Sequence, residues 1–269
     1  MKAIPVKSKI NSNQLLKISP FKEVIKPTVP HKHADYFELI VLEHGAGYHT
    51  IDDQSYDVLP PSIYFLKPGQ VHCWDFTRIP KGYVILFREE LLNRKSLEIV
   101  YNLPVVIQLK ESPMLLDLVK CFCQDYQSAA PPAILEVYLQ LILLKAAEES
   151  NAQLRDGKPF NPIYYQFKSL VNVHFQQIKK IQAYAEMLHL PGAQLNTICK
   201  TASGKTPSMI LNERIVLEAK ILLSNTELSI KEIAASLEFS DPSHFVKFFK
   251  LYTNLTPGIY RELAFAKRP

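Results

Sequence analysis

Glycine is scarce in this chain, 8 in 269 residues, which excludes collagenous segments and Gly-rich linkers. Cysteine is scarcer: Cys73, Cys121, Cys123 and Cys199 include no C-x-x-C pair and make no disulfide framework, so reduced thiols are expected. No apolar run is long enough to span a bilayer, since the longest, Ile134 to Leu144, is interrupted by Glu136 and Gln140. The lysines of residues 1–13 are followed by no apolar segment, so no signal peptide is expected. What is present is ordinary globular composition, 47% hydrophobic and 21% charged, with 19 prolines to punctuate it. The expectation is a soluble, cytoplasmic protein of two modest domains, without a membrane partner.

Charge is unevenly spread. Residues 1–150 carry 16 Lys+Arg and 17 Asp+Glu, whereas residues 151–269 carry 15 and 9. A basic C-terminal half beside a neutral N-terminal half fits a nucleic-acid-facing module joined to something else, although a solvated surface has the same signature.

The two halves also differ in period. From Val24 to Leu109 the chain reads as short strands, Phe37–Leu42, Tyr48–Ile51, Ser62–Leu66 and Tyr83–Phe87, bounded by Gly45, Gly47, Asp52–Asp53, Pro60–Pro61 and Pro68–Gly69. That spacing predicts a small barrel or double-sheet jelly roll. Helical periodicity then predicts Pro113–Gln127 and Pro132–Glu149 as an antiparallel pair, the second with Leu135, Leu139, Ile142 and Leu143 on one stripe. Val137, Leu141 and Leu144 extend that apolar surface, which predicts a homodimer through the helix pair. The polar stretch 151–160 is expected to be a linker between a domain at 1–150 and another at 161–269. The fold class expected is α+β with two domains, a β-barrel with a helical hairpin followed by an all-α unit.

The C-terminal half contains an internal duplication at a period of 50 residues. Leu195, Ile198, Cys199, Lys200, Gly204, Thr206, Pro207 and Ile210 return as Phe245, Phe248, Phe249, Lys250, Asn254, Thr256, Pro257 and Tyr260. Upstream, Ala185 to Leu190 matches Ala234 to Phe239. A small residue on a first helix and an apolar one past the turn let two helices cross steeply, as a helix-turn-helix requires. The pair is expected to be joined by one long helix, Pro207 to Leu223. Caps are expected from Ser229 with Glu232, and from Thr206, Asp241 and Thr256 before their prolines.

On these residues the stretch Thr226 to Glu262 resembles the signature region of the AraC/XylS family of bacterial transcription regulators, and the upstream copy resembles that family's first helix-turn-helix. The resemblance implies two recognition helices laid into successive major grooves of double-stranded DNA, with RNA polymerase as a candidate partner. Departures from the family pattern are Glu238 and Asn254 where glycine is common, and Cys199 where an aromatic residue is usual. With Leu195, Ile198 and Cys199 facing the core, Ala193, Gln194, Asn196, Thr197 and Lys200 are left outward; in the second unit Ser243, His244, Val246, Lys247 and Lys250 are. Asn196, Thr197, Ser243, His244 and Lys247 are the candidates for reading bases, by analogy with the family. Lys200 and Lys250 are candidates for phosphate.

In the N-terminal half, His31-Lys32-His33 followed by Glu38 and Gly45, and then Pro68-Gly69 with His72, resemble the two cupin motifs. In cupins such residues converge on a metal inside the barrel. In sensor domains of AraC type they instead serve as pocket or core groups, so His31, His33, Glu38, His72 and Trp74 are the candidate ligand-binding residues. Neither a cofactor nor a metal is expected; His31, His33, Glu38 and His72 would be the metal ligands if there were one. The candidate effector is a sugar or another small metabolite. The first function expected is a one-component transcription regulator with no enzymatic activity. The alternative is a cupin-type metal-dependent enzyme with a helical appendage, which would have no use for two recognition helices.

Overall fold

The computed structural model describes residues 4–11, 13–33, 35–109, 113–150 and 161–266. The chain divides into two compact units, one of residues 6–157 and one of residues 158–269 with 1–5. The linker expected at 151–160 lies outside the described residues.

The first unit is built on β1 (Leu16–Pro20), β2 (His31–Lys32), β3 (Phe37–Ile51), β4 (Gln54–Asp57), β5 (Ser62–Leu66), β6 (Val71–Phe87) and β7 (Val106–Gln108). They form one antiparallel sheet in the order β1-β6-β3-β5-β7, with β2 added to β6 and β4 to β3. Successive side chains leave a strand on opposite faces, and here both faces are buried. Phe37, Leu39 and Val41 of β3, Ile63 and Phe65 of β5, and Ile85 and Phe87 of β6 share the outer face. Three helices cover it: α1 (Arg94–Asn102), α2 (Pro113–Gln127) and α3 (Pro132–Glu149). Ile40, Leu42, Tyr64, Leu66, Trp74 and Phe76 point the other way, into a smaller inner core.

Three expectations need correction. Phe37–Leu42 and Tyr48–Ile51 are one strand rather than two, because Gly45 and Gly47 do not end it but carry it through register shifts against β6. At Gly47, where φ is +130°, a Cβ would stand 2.1 Å from the Asp75 carbonyl oxygen, so only glycine lets the strands approach there. The expected β region also contains a helix, α1, whose Asn93 cap accepts from the Ser96 N–H. Lastly, Leu139, Ile142 and Leu143 belong to the unit's own core, with Leu135 packed against it. The exposed apolar side chains of α3 are instead Ile134, Val137, Leu141 and Leu144, at heptad-like spacing.

The second unit is helical: α4 (Pro162–His174), α5 (Ile181–Met187), α6 (Gly192–Ser203), α7 (Pro207–Asn225), α8 (Ile230–Ser236), α9 (Pro242–Thr253) and α10 (Pro257–Ala266). The expected caps form. Thr206 accepts from Met209 N–H, Asp241 from Ser243 N–H, Thr256 from Ile259 N–H, and Ser229 with Glu232 closes a full capping box. Helix α7 joins the repeats and buries eleven of its nineteen residues. Among these, Arg214 and Glu218 pair at 2.8 Å, and the guanidinium lies 4.1 Å from the centre of the Phe175 ring.

Candidate effector cavity and nucleic-acid interface

The inner face of the first unit gathers the titratable residues singled out in the sequence. β2 pairs with β6 so that His31 stands opposite His72, and β3 pairs with β6 so that Glu38 stands opposite Leu86. His31, His33, Glu38 and His72 are all buried, and the three histidines offer nitrogens within 4.8 Å of one another. His33 Nε2 lies 3.2 Å from His72 Nε2. Glu38 Oε2 lies 3.0 Å from the first and 3.7 Å from the second. Oε2 nonetheless accepts no well-formed hydrogen bond among the described residues. The other carboxylate oxygen accepts from Lys9 Nζ at 2.6 Å.

Burial disfavours charge on these rings. It lowers His31 to about 4 and His72 to about 3, and holds His49 well below the usual histidine value, so all three are neutral imidazoles near pH 7. Burial alone would raise Glu38; the His33 ring beside it and the charge of Lys9 outweigh it and keep the carboxyl ionised.

Two residues of this cluster, His49 and Lys9, were not foreseen. His49 is fully buried, 3.1 Å from His72 Nδ1 through its Nε2, and stacks on Trp74 at 3.4 Å. Strand alternation puts His49 and Ile51 on one face, but the bulges at Gly45 and Gly47 hide which face from the sequence. Lys9 reaches Glu38 across 29 residues, and the Tyr36 hydroxyl lies 2.7 Å from His33 Nδ1.

A cavity of about 950 Å³ opens over His31, Glu38, His72 and Trp74. Its walls include Phe21, Val24, Val29 and Phe76, and its lining carries Lys7, Lys9, Lys17, Lys22 and Lys26. His33 does not line it. Trp74 is no open stacking platform, because His49 and Phe76 stack on it while Phe21 and Tyr64 meet it edge-on.

In the second unit the two repeats fold alike. After α5, Leu190 N–H donates to Ala185 C=O at 2.9 Å; after α8, Phe239 N–H donates to Ala234 C=O at 2.9 Å. His189 and Glu238 take the left-handed conformation between them, with φ near 55°. Both second helices end in a left-handed cap, Gly204 at φ 77° and Asn254 at φ 59°. Leu195 and Cys199, like Phe245 and Phe249, are buried, while Ile198 and Phe248 are half-buried. Ala193, Gln194, Thr197 and Lys200 of α6 are exposed, as are Ser243, His244, Lys247 and Lys250 of α9; Asn196 and Val246 are half-buried. The Thr197 hydroxyl donates back to the Ala193 carbonyl, leaving its oxygen as an acceptor. One exposed side chain on this surface was passed over: Leu251, 75% exposed, one helical turn beyond Lys247.

Comparison with known proteins agrees with both halves of this description. A model of the AraC-like ligand binding domain matches residues 26–144, and a model of a helix-turn-helix domain matches residues 184–263. The transcriptional activator RhaS of Escherichia coli is 25% identical over 249 residues, 87% of each chain. RhaS of Salmonella schwarzengrund is 24% identical over the same span. Among solved structures, fatty-acid-bound ToxT from Vibrio cholerae matches 94% of this chain and 96% of its own, at 14% identity and a TM-score of 0.45. No helix among the described residues is long and apolar enough to cross a membrane. With a ligand-binding domain ahead of a duplicated helix-turn-helix, the chain belongs to the AraC family of DNA-binding transcription regulators.

Proposed function

We propose that this regulator acts in the cytoplasm, with residues 1–150 as sensor and dimerisation domain, 151–160 as linker and 161–269 as DNA reader. The observation that carries the reading is the duplicated turn, with the same hydrogen bond and a left-handed residue at the equivalent position, followed each time by a helix with a largely exposed polar face that ends in a left-handed cap. Helices α6 and α9 enter successive major grooves. Ala193, Gln194, Asn196, Thr197, Ser243, His244 and Lys247 face base edges, and Lys200 and Lys250, nearer the helix ends, meet phosphate.

The effector is a small molecule held in the cavity of the first unit. Apolar walls and a lysine-rich lining suit a metabolite with an apolar body and an anionic group better than a neutral sugar, for which Trp74 offers no free face. Two copies pair through Ile134, Val137, Leu141 and Leu144 of α3, so that binding of the second DNA module becomes intramolecular.

Duplex binding by the full chain tests the DNA reading. Log affinity is expected to fall steeply with log salt. Lys247→Ala should cost about 1–3 kcal/mol and relax specificity at one base pair, whereas Lys250→Ala should weaken all sequences alike and reduce the salt slope by about 1. Salt-independent binding, or equal loss of specificity in both variants, would overturn it.

A further inference from the structure

The last turn of α9 carries a side chain that its fold does not ask for. Leu251 is 75% exposed, the highest value among the large apolar side chains of the described residues. Its counterpart 50 residues upstream is Thr201, also exposed, so the repeat itself requires no apolar group there. Helix geometry puts Leu251 on the stripe of His244 and Lys247, seven and four residues before it, with Lys250 alongside. Phe245 and Phe249 turn away from that stripe into the core.

That turn is not a fraying end. The next residue, Tyr252, is tied to α7, where Asn212 Nδ2 donates to its hydroxyl at 2.6 Å, and its ring lies 4.9 Å from that of Phe248. The Thr253 hydroxyl donates to the Phe249 carbonyl at 2.8 Å. The Asn254 N–H closes the left-handed cap on the Lys250 carbonyl at 2.9 Å. Leu251 is thus held outward on a fixed helix, between cations. A leucine among lysines matches a surface that is anionic and apolar at once. Duplex DNA offers both in its major groove, where phosphates flank the 5-methyl groups of thymine.

We propose, on the reading that α9 lies in a major groove, that Leu251 is a specificity-determining residue that packs on the methyl group of one thymine. An α-helix advances about 5.4 Å per turn and duplex DNA about 3.4 Å per base pair. With α9 along the groove, Leu251 therefore reaches a base about one or two steps beyond the one that Lys247 reads. A leucine neither donates nor accepts a hydrogen bond, so it tells thymine from cytosine by that methyl group alone. An apolar contact releases no counterion, so its loss leaves the salt dependence of binding unchanged. That separates Leu251 from its lysine neighbours, whose loss lowers the salt slope wherever they meet phosphate.

The test uses the full chain and a duplex that it selects from a random library. Replacing each thymine of that duplex in turn by deoxyuridine removes one methyl group and nothing else. At one position this should weaken wild-type binding about fourfold, which is what burial of a single CH2 group is worth. Leu251→Ala should weaken binding to the thymine duplex at least about fourfold at an unchanged salt slope, and should no longer distinguish thymine from deoxyuridine at that position. Leu251→Met keeps an apolar reach and should retain the discrimination. Leu251→Lys should lose it and steepen the salt slope by about 1, because a cation there reaches phosphate. The side chain faces solvent, so urea unfolding of all three variants should match the wild type. A Leu251→Ala variant that binds as the wild type does, or that loses the same factor on thymine and deoxyuridine duplexes, would overturn the proposal. A flat methyl scan on a selected duplex overturns this assignment alone, whereas a chain that selects no duplex overturns the DNA reading with it.

Discussion

Replacing Leu141 by Glu, beside a control at Leu139, separates the outer stripe of α3 from the core behind it. Leu141 is 40% exposed, whereas Leu139 is 1% exposed within the cluster that joins α2, α3 and the sheet. Full burial of a leucine side chain contributes about 1.5–3 kcal/mol, so covering the exposed part of Leu141 is worth about 1 kcal/mol. In a two-fold dimer each substitution counts twice, about 2 kcal/mol, before the cost of desolvating two carboxylates. Leu141→Glu should therefore weaken dimerisation at least about 30-fold and change the unfolding free energy of the monomer by no more than about 0.5 kcal/mol. Leu139→Ala should instead cost about 2.7–5 kcal/mol of stability, as cavity-forming leucine truncations do. Sedimentation velocity at tens of micromolar and urea unfolding read the two effects separately. A wild type that sediments as a monomer, or a Leu141→Glu variant that sediments as a dimer, would refute the assignment of this stripe.

The left-handed turn at Glu238 and the cap of α8 each give a prediction about the DNA-reading unit. Glu238→Gly should stabilise the unit by about 0.5–1 kcal/mol, because a side chain at φ 56° costs about 1–2 kcal/mol that glycine avoids, less its greater unfolded-state entropy; a lower denaturation midpoint would refute this. Ser229→Ala opens the capping box and should lower stability by about 1 kcal/mol, with no loss at low denaturant in an unfolding curve counting against it.

The helices of the DNA-reading unit were legible because their signals are local. Pro207, Pro242 and Pro257 mark helix starts, and the 50-residue repeat made each half vouch for the other. Both helices of the hairpin, Pro113–Gln127 and Pro132–Glu149, also fall where periodicity puts them. The sheet was less legible, because Gly45 and Gly47 carry the same signal whether they end a strand or bulge it. The same ambiguity concealed His49. Which stripe of α3 faces inward was likewise undetermined, since apolar residues occupy most of its circumference and only the packed sheet selects Leu139 and Leu143 over Leu141 and Leu144. Lys9 joins the cluster through a contact 29 residues away in sequence that no local pattern encodes.

Helix α7, buried along most of its length and held against Phe175 through the Arg214 guanidinium, sets the distance and phase between the two reading helices. A reader that cannot adjust its own span transfers the adjustment to the duplex. Base pairs lying between the two contacted segments then contribute to selectivity through the energy needed to curve them, even where no side chain reaches their edges. Flexible pyrimidine–purine steps in that interval should be favoured over stiff A-tracts. Substitutions in the operator's untouched centre should then alter affinity as those at contacted positions do.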